Sequence, residues 1–175
     1  MRKKNVLYYL LLVLGWTLVL FYLSSMSFSE QTIRPYLQML ITENQLEVVF
    51  SKINIPFLNS EISVENLGAY GFLEYLFRKG AHLFFYSILG YVISRYFMSS
   101  LGYKKGRIFV FSMFTLLIIS MLDEYLQYLQ MERSGQWADV WLNCIGGVKG
   151  VLTGLVAGYN QKRRRQSIEK AQTRL

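Results

Sequence analysis

The chain has 175 residues, of which 53% are hydrophobic and 17% are charged, whereas soluble domains carry about 25% charged residues, so a soluble globule and a disordered chain are both disfavoured. A single cysteine, Cys144, excludes an internal disulfide, and a single histidine, His82, excludes a site that needs two imidazoles. The net charge of +8 fits either a nucleic-acid-binding protein or a membrane protein with basic cytoplasmic loops.

The first predicted element is a membrane-spanning helix over residues 5–25. No charged residue occurs between Lys4 and Glu30, and about 20 apolar residues are enough to cross a hydrocarbon core about 30 Å thick. The run is too long for a signal peptide, and residues 21–23 lack the small side chains of a cleavage site. We therefore expect a retained helix.

Residues 26–78 form the largest predicted segment outside the membrane. Apolar residues recur at helical spacing near residues 33–41 and again near residues 67–77, while Pro35 and Pro56 interrupt the pattern. Such patterns are typical of amphipathic helices that lie on the membrane surface or cover the mouth of a bundle. We expect helices of this kind on the extracytoplasmic side.

Three further spans are predicted over residues 79–98, 107–128 and 139–159. Short apolar segments also occur as buried helices of soluble proteins, so the flanking charges decide the assignment. With four spans and both termini inside, the inner segments hold 12 basic residues and one acidic residue, and the outer ones five basic and ten acidic residues. Basic residues in short loops select the cytoplasmic side, so the excess charge indicates topology and not a nucleic-acid partner.

The predicted fold is therefore an all-α bundle of four transmembrane helices, with amphipathic outer-face helices between the first and the second. Residues 1–160 form one membrane domain, and residues 161–175 form a basic cytoplasmic tail. In the fourth span a glycine occurs at every fourth position, which lets helix backbones approach closely in lipid. We predict helix packing at Gly146, Gly150, Gly154 and Gly158.

Polar and charged side chains gather at the outer ends of the last three spans. Ionisable groups at this depth cost several kcal/mol unless they are paired or hydrated, so they should face the bundle or a wet cavity. We predict that they form a cross-helix network that binds a ligand and contains no metal or cofactor. The candidate residues are Arg78, Lys79, His82, Asp123, Glu124, Gln127, Arg133, Asp139 and Asn143.

The same residues carry a family resemblance. The blocks are Arg78-Lys79-x-x-His82, Asp123-Glu124-x-x-Gln127, Arg133-Ser134-Gly135 and Asp139-Val140-x-x-Asn143-x-x-Gly146. In this order they resemble the signature of the VanZ-like membrane proteins, over about residues 70–158. The resemblance implies a small multi-pass protein of the bacterial cytoplasmic membrane and, for the founding member, low-level teicoplanin resistance. Residues 131–132 depart from the pattern, because Met-Glu stands where Pro-Gly is usual.

Three functions remain open. In the favoured one, which is not enzymatic, the site binds a membrane lipid, a lipid-linked cell-wall precursor or a lipoglycopeptide antibiotic. Arg78, Lys79, Arg133 and His82 would then contact anionic groups, and the other polar residues would orient them. In the second, His82 or Glu124 is the acid–base catalyst of an enzyme that acts on a lipid-linked substrate. In the third, the polar cluster only holds the bundle together. The oligomeric state is left open.

Overall fold

A computed structural model describes residues 2–57, 60–130 and 137–172. The described chain is helical except for one short hairpin, and it forms two compact units. The bundle unit comprises Met1–Ser25 and His82–Leu175, and the connecting unit comprises Met26–Ala81. In chain order the elements are α1 (Arg2–Ser25), α2 (Phe28–Gln31), α3 (Arg34–Leu40), α4 (Glu43–Phe50), β1 (Ile55–Phe57), β2 (Ser60–Ile62), α5 (Val64–Leu67), α6 (Ala69–Leu101), α7 (Lys105–Tyr128) and α8 (Trp137–Gln172).

The bundle unit packs α1, the His82–Leu101 part of α6, α7 and α8 around one apolar core. Tyr86, Leu89, Leu116 and Val151 are among its fully buried side chains. Many large apolar side chains on the outside of these helices are exposed, which is typical of a surface that faces lipid. The Trp16 indole donates a hydrogen bond of 3.0 Å to the Phe85 carbonyl and so joins α1 to α6.

Three helices of the described chain are long and apolar enough to cross a membrane. They are Lys3–Ser25, Lys105–Tyr128 and Trp137–Gln172, the last of which continues into the basic segment that follows residue 160. The α6 helix is not among them, because His82, Arg95 and several tyrosines and serines interrupt its apolar sequence. A mostly helical membrane protein is therefore supported, and the fourth span over residues 79–98 stays a prediction.

The glycine repeat of α8 packs against α6. A Cβ atom on Gly146 would lie 2.6 Å from the carbonyl oxygen of Leu83, and one on Gly150 would overlap the carbonyl of Ser87. The Ser87 hydroxyl also donates a hydrogen bond of 3.0 Å to the Gly146 carbonyl. A Cβ on Gly154 would meet the Tyr91 carbonyl and the Ser94 side chain, whereas one on Gly158 would meet only the side chains of Arg95 and Met98.

The connecting unit has a small core of its own, in which Leu46, Val64, Ala69 and Phe72 are buried. Helices α3, α4 and α5 lie in the segment where amphipathic helices are predicted, but β1 and β2 form an antiparallel hairpin that helical periodicity does not predict. β-Branched residues favour strands, and a proline is tolerated in a hairpin whose strands are both edges.

Glu74 joins the two ends of the connecting unit. Its carboxylate is 2% exposed and accepts hydrogen bonds from the Arg34 side chain at 2.8 Å and from the Ile33 backbone N–H at 3.1 Å. Burial of the carboxylate raises its pKa, but hydrogen bonds from Thr32, Arg34 and Ile33 outweigh that effect, so the pKa of Glu74 lies below its ordinary value.

Candidate functional site

Asn143 links three helices at one end of the bundle unit. Its side chain is fully buried, and its amide nitrogen donates a hydrogen bond of 3.0 Å to the Ser120 hydroxyl on α7. Its amide oxygen lies 2.8 Å from Nδ1 of His82 on α6. Asn143 lies in the second turn of α8 and reaches both neighbouring helices from this single position. The side-chain amide thus forms one hydrogen bond to each of the two neighbouring helices.

The bond to Asn143 fixes the tautomer of His82. An amide oxygen can only accept a hydrogen bond, so Nδ1 of the imidazole must carry a proton. In the neutral ring, Nε2 then carries the lone pair and can accept a proton or a hydrogen bond. His82 is half-buried and interacts electrostatically with Asp123. The ring is thus oriented on one side and keeps a basic nitrogen on the other.

Asp123 and Gln127 meet α1 at the same end of the unit. They are four residues apart and share one face of α7, where both side chains are buried. The Ser24 hydroxyl donates a short hydrogen bond to Oδ1 of Asp123, and Nε2 of Gln127 donates one of 3.4 Å to the Ser24 hydroxyl. The carboxylate of Asp123 therefore has a neutral hydroxyl partner on α1.

Tyr86 adds a buried hydroxyl to this group. Its side chain is 1% exposed and its hydroxyl lies beside Asp123 and Ser120. Within the described residues, however, the hydroxyl has no hydrogen bond of normal geometry. A buried polar atom without a partner costs about 1–3 kcal/mol, so a water molecule or a bound polar group would be stabilised here.

Glu124 faces a different neighbour from Asp123. Adjacent helix residues point about 100° apart, and Glu124 accordingly lines a groove between α7 and α8 that has a volume of about 250 Å³. Glu124 is 7% exposed, and most of the surrounding surface is apolar. The groove can hold an alkyl chain and offers one carboxylate to its polar end. Its other lining residues are Met121, Tyr125, Tyr128, Trp137 and Val140.

Asp139, Arg78 and Lys79 are the remaining candidates that the structure describes. Asp139 is buried in the first turn of α8, where the helix dipole stabilises a carboxylate. Arg78 and Lys79 belong to the connecting unit, where the Arg78 guanidinium lies 4.7 Å from the ring centre of Phe28 and the Lys79 ammonium lies near Tyr75. Arg133 lies outside the described residues. The part of the chain that the structure describes contains no group of three metal-ligating side chains.

Three hydroxyls of this cluster, those of Ser24, Tyr86 and Ser120, are not among the candidates predicted from the sequence. Ser120 lies three residues before Asp123 on the same face of α7, so helical spacing could have identified it. Ser24 follows a uniformly apolar run, where no periodicity indicates which side faces the bundle. Together with the predicted residues they form what we call the polar cluster: Ser24, His82, Tyr86, Ser120, Asp123, Gln127 and Asn143.

The comparisons with known proteins give one match. A family model described as VanZ/LLP1 matches residues 6–157, which include most of α1 and α8 and all of the polar cluster. No curated protein and no solved structure matches the chain. The resemblance inferred from four short motifs is thereby confirmed over most of the sequence. The chain belongs to the VanZ/LLP1 family.

Proposed function

We propose that this protein binds an envelope amphiphile, with the polar group of the ligand at Glu124 and its apolar part in the groove between α7 and α8. The observation that carries the proposal is Glu124, a buried carboxylate in the wall of an otherwise apolar groove. Ligand sites commonly combine apolar walls with a few polar groups that fix orientation. The Tyr86 hydroxyl, beside Asp123 and Ser120, is a further buried polar group of the bundle unit.

The proposal includes four membrane spans with both termini in the bacterial cytoplasm. The His82–Leu101 part of α6 has 20 residues and measures about 30 Å, which is enough to cross the hydrocarbon core. The sorting of basic residues supports this orientation. Under this topology the polar cluster lies near the outer leaflet, where it meets extracytoplasmic ligands.

The ligand class follows from the site and the family together. A carboxylate beside an apolar groove suits an amphiphile that carries a hydroxyl, amide or ammonium group next to its alkyl chain. Lipoglycopeptides meet this description, and membrane lipids and lipid-linked cell-wall precursors carry such groups in their headgroups, beyond the phosphate. Family membership supports a role in glycopeptide resistance, such as teicoplanin resistance. That Arg78, Lys79 and Arg133 contact anionic groups of the ligand remains a prediction from the sequence.

A structural role is the second candidate, and the burial of Asn143 favours it. Asn143 is 0% exposed and its described partners, His82 and Ser120, both belong to neighbouring helices. A network that satisfies itself stabilises a bundle without any ligand. The basic Nε2 of His82 keeps the enzymatic alternative open, with His82 or Glu124 as the acid–base group.

Ligand-dependent melting of the purified protein tests these functions. The probes are phosphatidylglycerol, phosphatidylcholine, a polyprenyl pyrophosphate and teicoplanin, each added in detergent. Binding raises the melting temperature by mass action, so we expect at least one probe to stabilise the wild type. Glu124→Gln and Trp137→Ala should reduce that shift, whereas Glu169→Gln, in the exposed part of α8, should retain it. Mass spectrometry of the incubated probes detects any reaction product.

The outcomes separate the alternatives. No shift with any probe, or equal shifts in wild type and both groove variants, contradicts ligand binding at this site. The structural role is favoured if the variants have a lower melting temperature without ligand but show the same ligand-dependent shift as the wild type. A product that disappears in His82→Gln favours an enzyme.

A further inference from the structure

Arg95 is a buried cation at the other end of the bundle unit. It lies 13 residues after His82 on α6, about 20 Å along the helix, and is 8% exposed. Its Nε and Nη2 donate hydrogen bonds of 3.3 and 3.2 Å to the Tyr9 hydroxyl, and Nη2 also donates to the side chain of Gln161. Nη1 is buried and has no hydrogen-bond partner within the described part of the chain.

The described surroundings of Arg95 contain an aromatic ring, with the guanidinium 5.5 Å from the ring centre of Tyr9, but no counter-charge. Both hydrogen-bond partners, Tyr9 and Gln161, are neutral, and no carboxylate of the described residues forms an ion pair with it. A buried charge without a counter-charge is costly, since hydrogen bonds replace only part of its hydration. An anion next to the guanidinium would remove this cost.

A cavity of about 490 Å³ opens beside Arg95. Helices α1, α6 and α8 and the connection between α6 and α7 all contribute to its wall, and none of its lining residues is acidic. A second guanidinium, that of Arg165, lines the same cavity. Hydroxyls of Tyr8, Tyr9, Ser99 and Tyr103 and the side-chain amides of Asn5 and Gln161 also line the cavity.

We propose that this cavity binds a phosphate group, either in the headgroup of an anionic phospholipid or in a soluble phosphate compound. Arginine suits such a ligand, because its planar fork donates two parallel hydrogen bonds to phosphate oxygens. The volume exceeds that of a phosphate ion and leaves room for the group esterified to it. The Lys162 ammonium, 4.4 Å from the ring centre of Tyr103, adds positive charge at the cavity wall. This site is separate from the polar cluster and does not depend on the proposed function.

The test compares full-length wild type with Arg95→Gln and Arg165→Gln, and with Arg163→Gln as the matched control. Arg163 is an exposed arginine of the same helix that does not line the cavity. Each protein is melted in detergent with inorganic phosphate, dihexanoyl phosphatidylglycerol or dihexanoyl phosphatidylcholine. We expect a phosphate-containing anionic probe to stabilise wild type and Arg163→Gln, with affinity about tenfold lower in Arg165→Gln and lower still in Arg95→Gln.

The probes distinguish the two sources of phosphate. Stabilisation by phosphatidylglycerol alone identifies a lipid headgroup, and equal stabilisation by inorganic phosphate identifies a soluble ligand. Arg165 is exposed, so the Arg165→Gln variant should fold. It still tests the proposal if the Arg95→Gln variant fails to fold. Equal responses in Arg165→Gln and the Arg163→Gln control overturn the proposal. Equal stabilisation by the zwitterionic phosphatidylcholine also overturns it, because the anionic charge would then play no part.

Discussion

Glu74 is the residue whose contacts allow a pH effect to be predicted. Its buried carboxylate accepts hydrogen bonds from the Arg34 side chain and from the backbone N–H of Ile33, and its pKa is lowered. A lowered pKa means that the folded state binds the proton more weakly than the unfolded state. The contribution of Glu74 to stability is therefore complete above the ordinary glutamate pKa of about 4.3, and it is lost as the pH falls through the lowered value.

Glu74→Gln should lower the free energy of unfolding by about 1–3 kcal/mol at pH 7, because charged hydrogen bonds become neutral ones. At pH 3 the unfolded state, whose glutamate pKa is about 4.3, already binds the proton, so the difference between the two proteins should shrink. Melting curves at both pH values measure this. Glu47→Gln makes the same change at an exposed helical position and should be neutral at both. A difference that does not vary with pH would contradict an ionised Glu74.

The sequence predicts which residues share the layer of the polar cluster, but it predicts only part of the hydrogen-bond pairs between them. Helical spacing and span depth predict that His82, Asp123 and Asn143 occur in one layer. Which hydroxyl each of them meets depends on helix rotation, and a uniformly apolar helix such as α1 gives no sign of its rotation. Ser24 was therefore missed, although it contacts Asp123.

At the scale of elements, close approach of α6 and α8 depends on glycine. A Cβ on Gly150 would overlap the Ser87 carbonyl, which is backbone and cannot rotate away. Gly150→Ala should therefore force the helices apart and lower the free energy of unfolding by about 1–3 kcal/mol. Melting in detergent measures the effect.

Gly15→Ala is the matched control for that substitution. Gly15 lies within α1, and a Cβ there would meet no atom within 4 Å. Alanine is the better helix former by about 1 kcal/mol, so this variant should be neutral or more stable. Equal destabilisation by both substitutions would show that glycine has a role other than packing in this protein.

The sequence predicts the long helices of the fold but not its short hairpin, and both results have a physical reason. Long apolar runs predicted α1, α7 and α8, because only a helix satisfies its own backbone in lipid. The β1–β2 hairpin was not predicted, because its strands have three residues each and are too short for a clear alternating pattern. The polar side chains of α6 that contact other helices also lower its hydropathy, so the sequence alone leaves its membrane span uncertain.

At the scale of the whole molecule, the number of spans decides on which side each terminus lies. Asn5, near the start of α1, and Arg165, near the end of α8, line the same cavity, so both ends of the bundle unit are at one end of it. Chain ends on the same side require an even number of crossings. The proposed topology meets this requirement with α6 as the fourth span, beside the three helices with clear spanning character.

Cysteine labelling in intact cells tests this topology. In a Cys144→Ala background, Lys4→Cys, Lys52→Cys and Ser167→Cys each introduce one exposed thiol. With four spans and cytoplasmic termini, a membrane-impermeant maleimide should label Lys52→Cys in intact cells. It should label the two terminal variants only after permeabilisation. If Lys4→Cys and Ser167→Cys are instead labelled from opposite sides, the number of crossings is odd and α6 does not span the membrane.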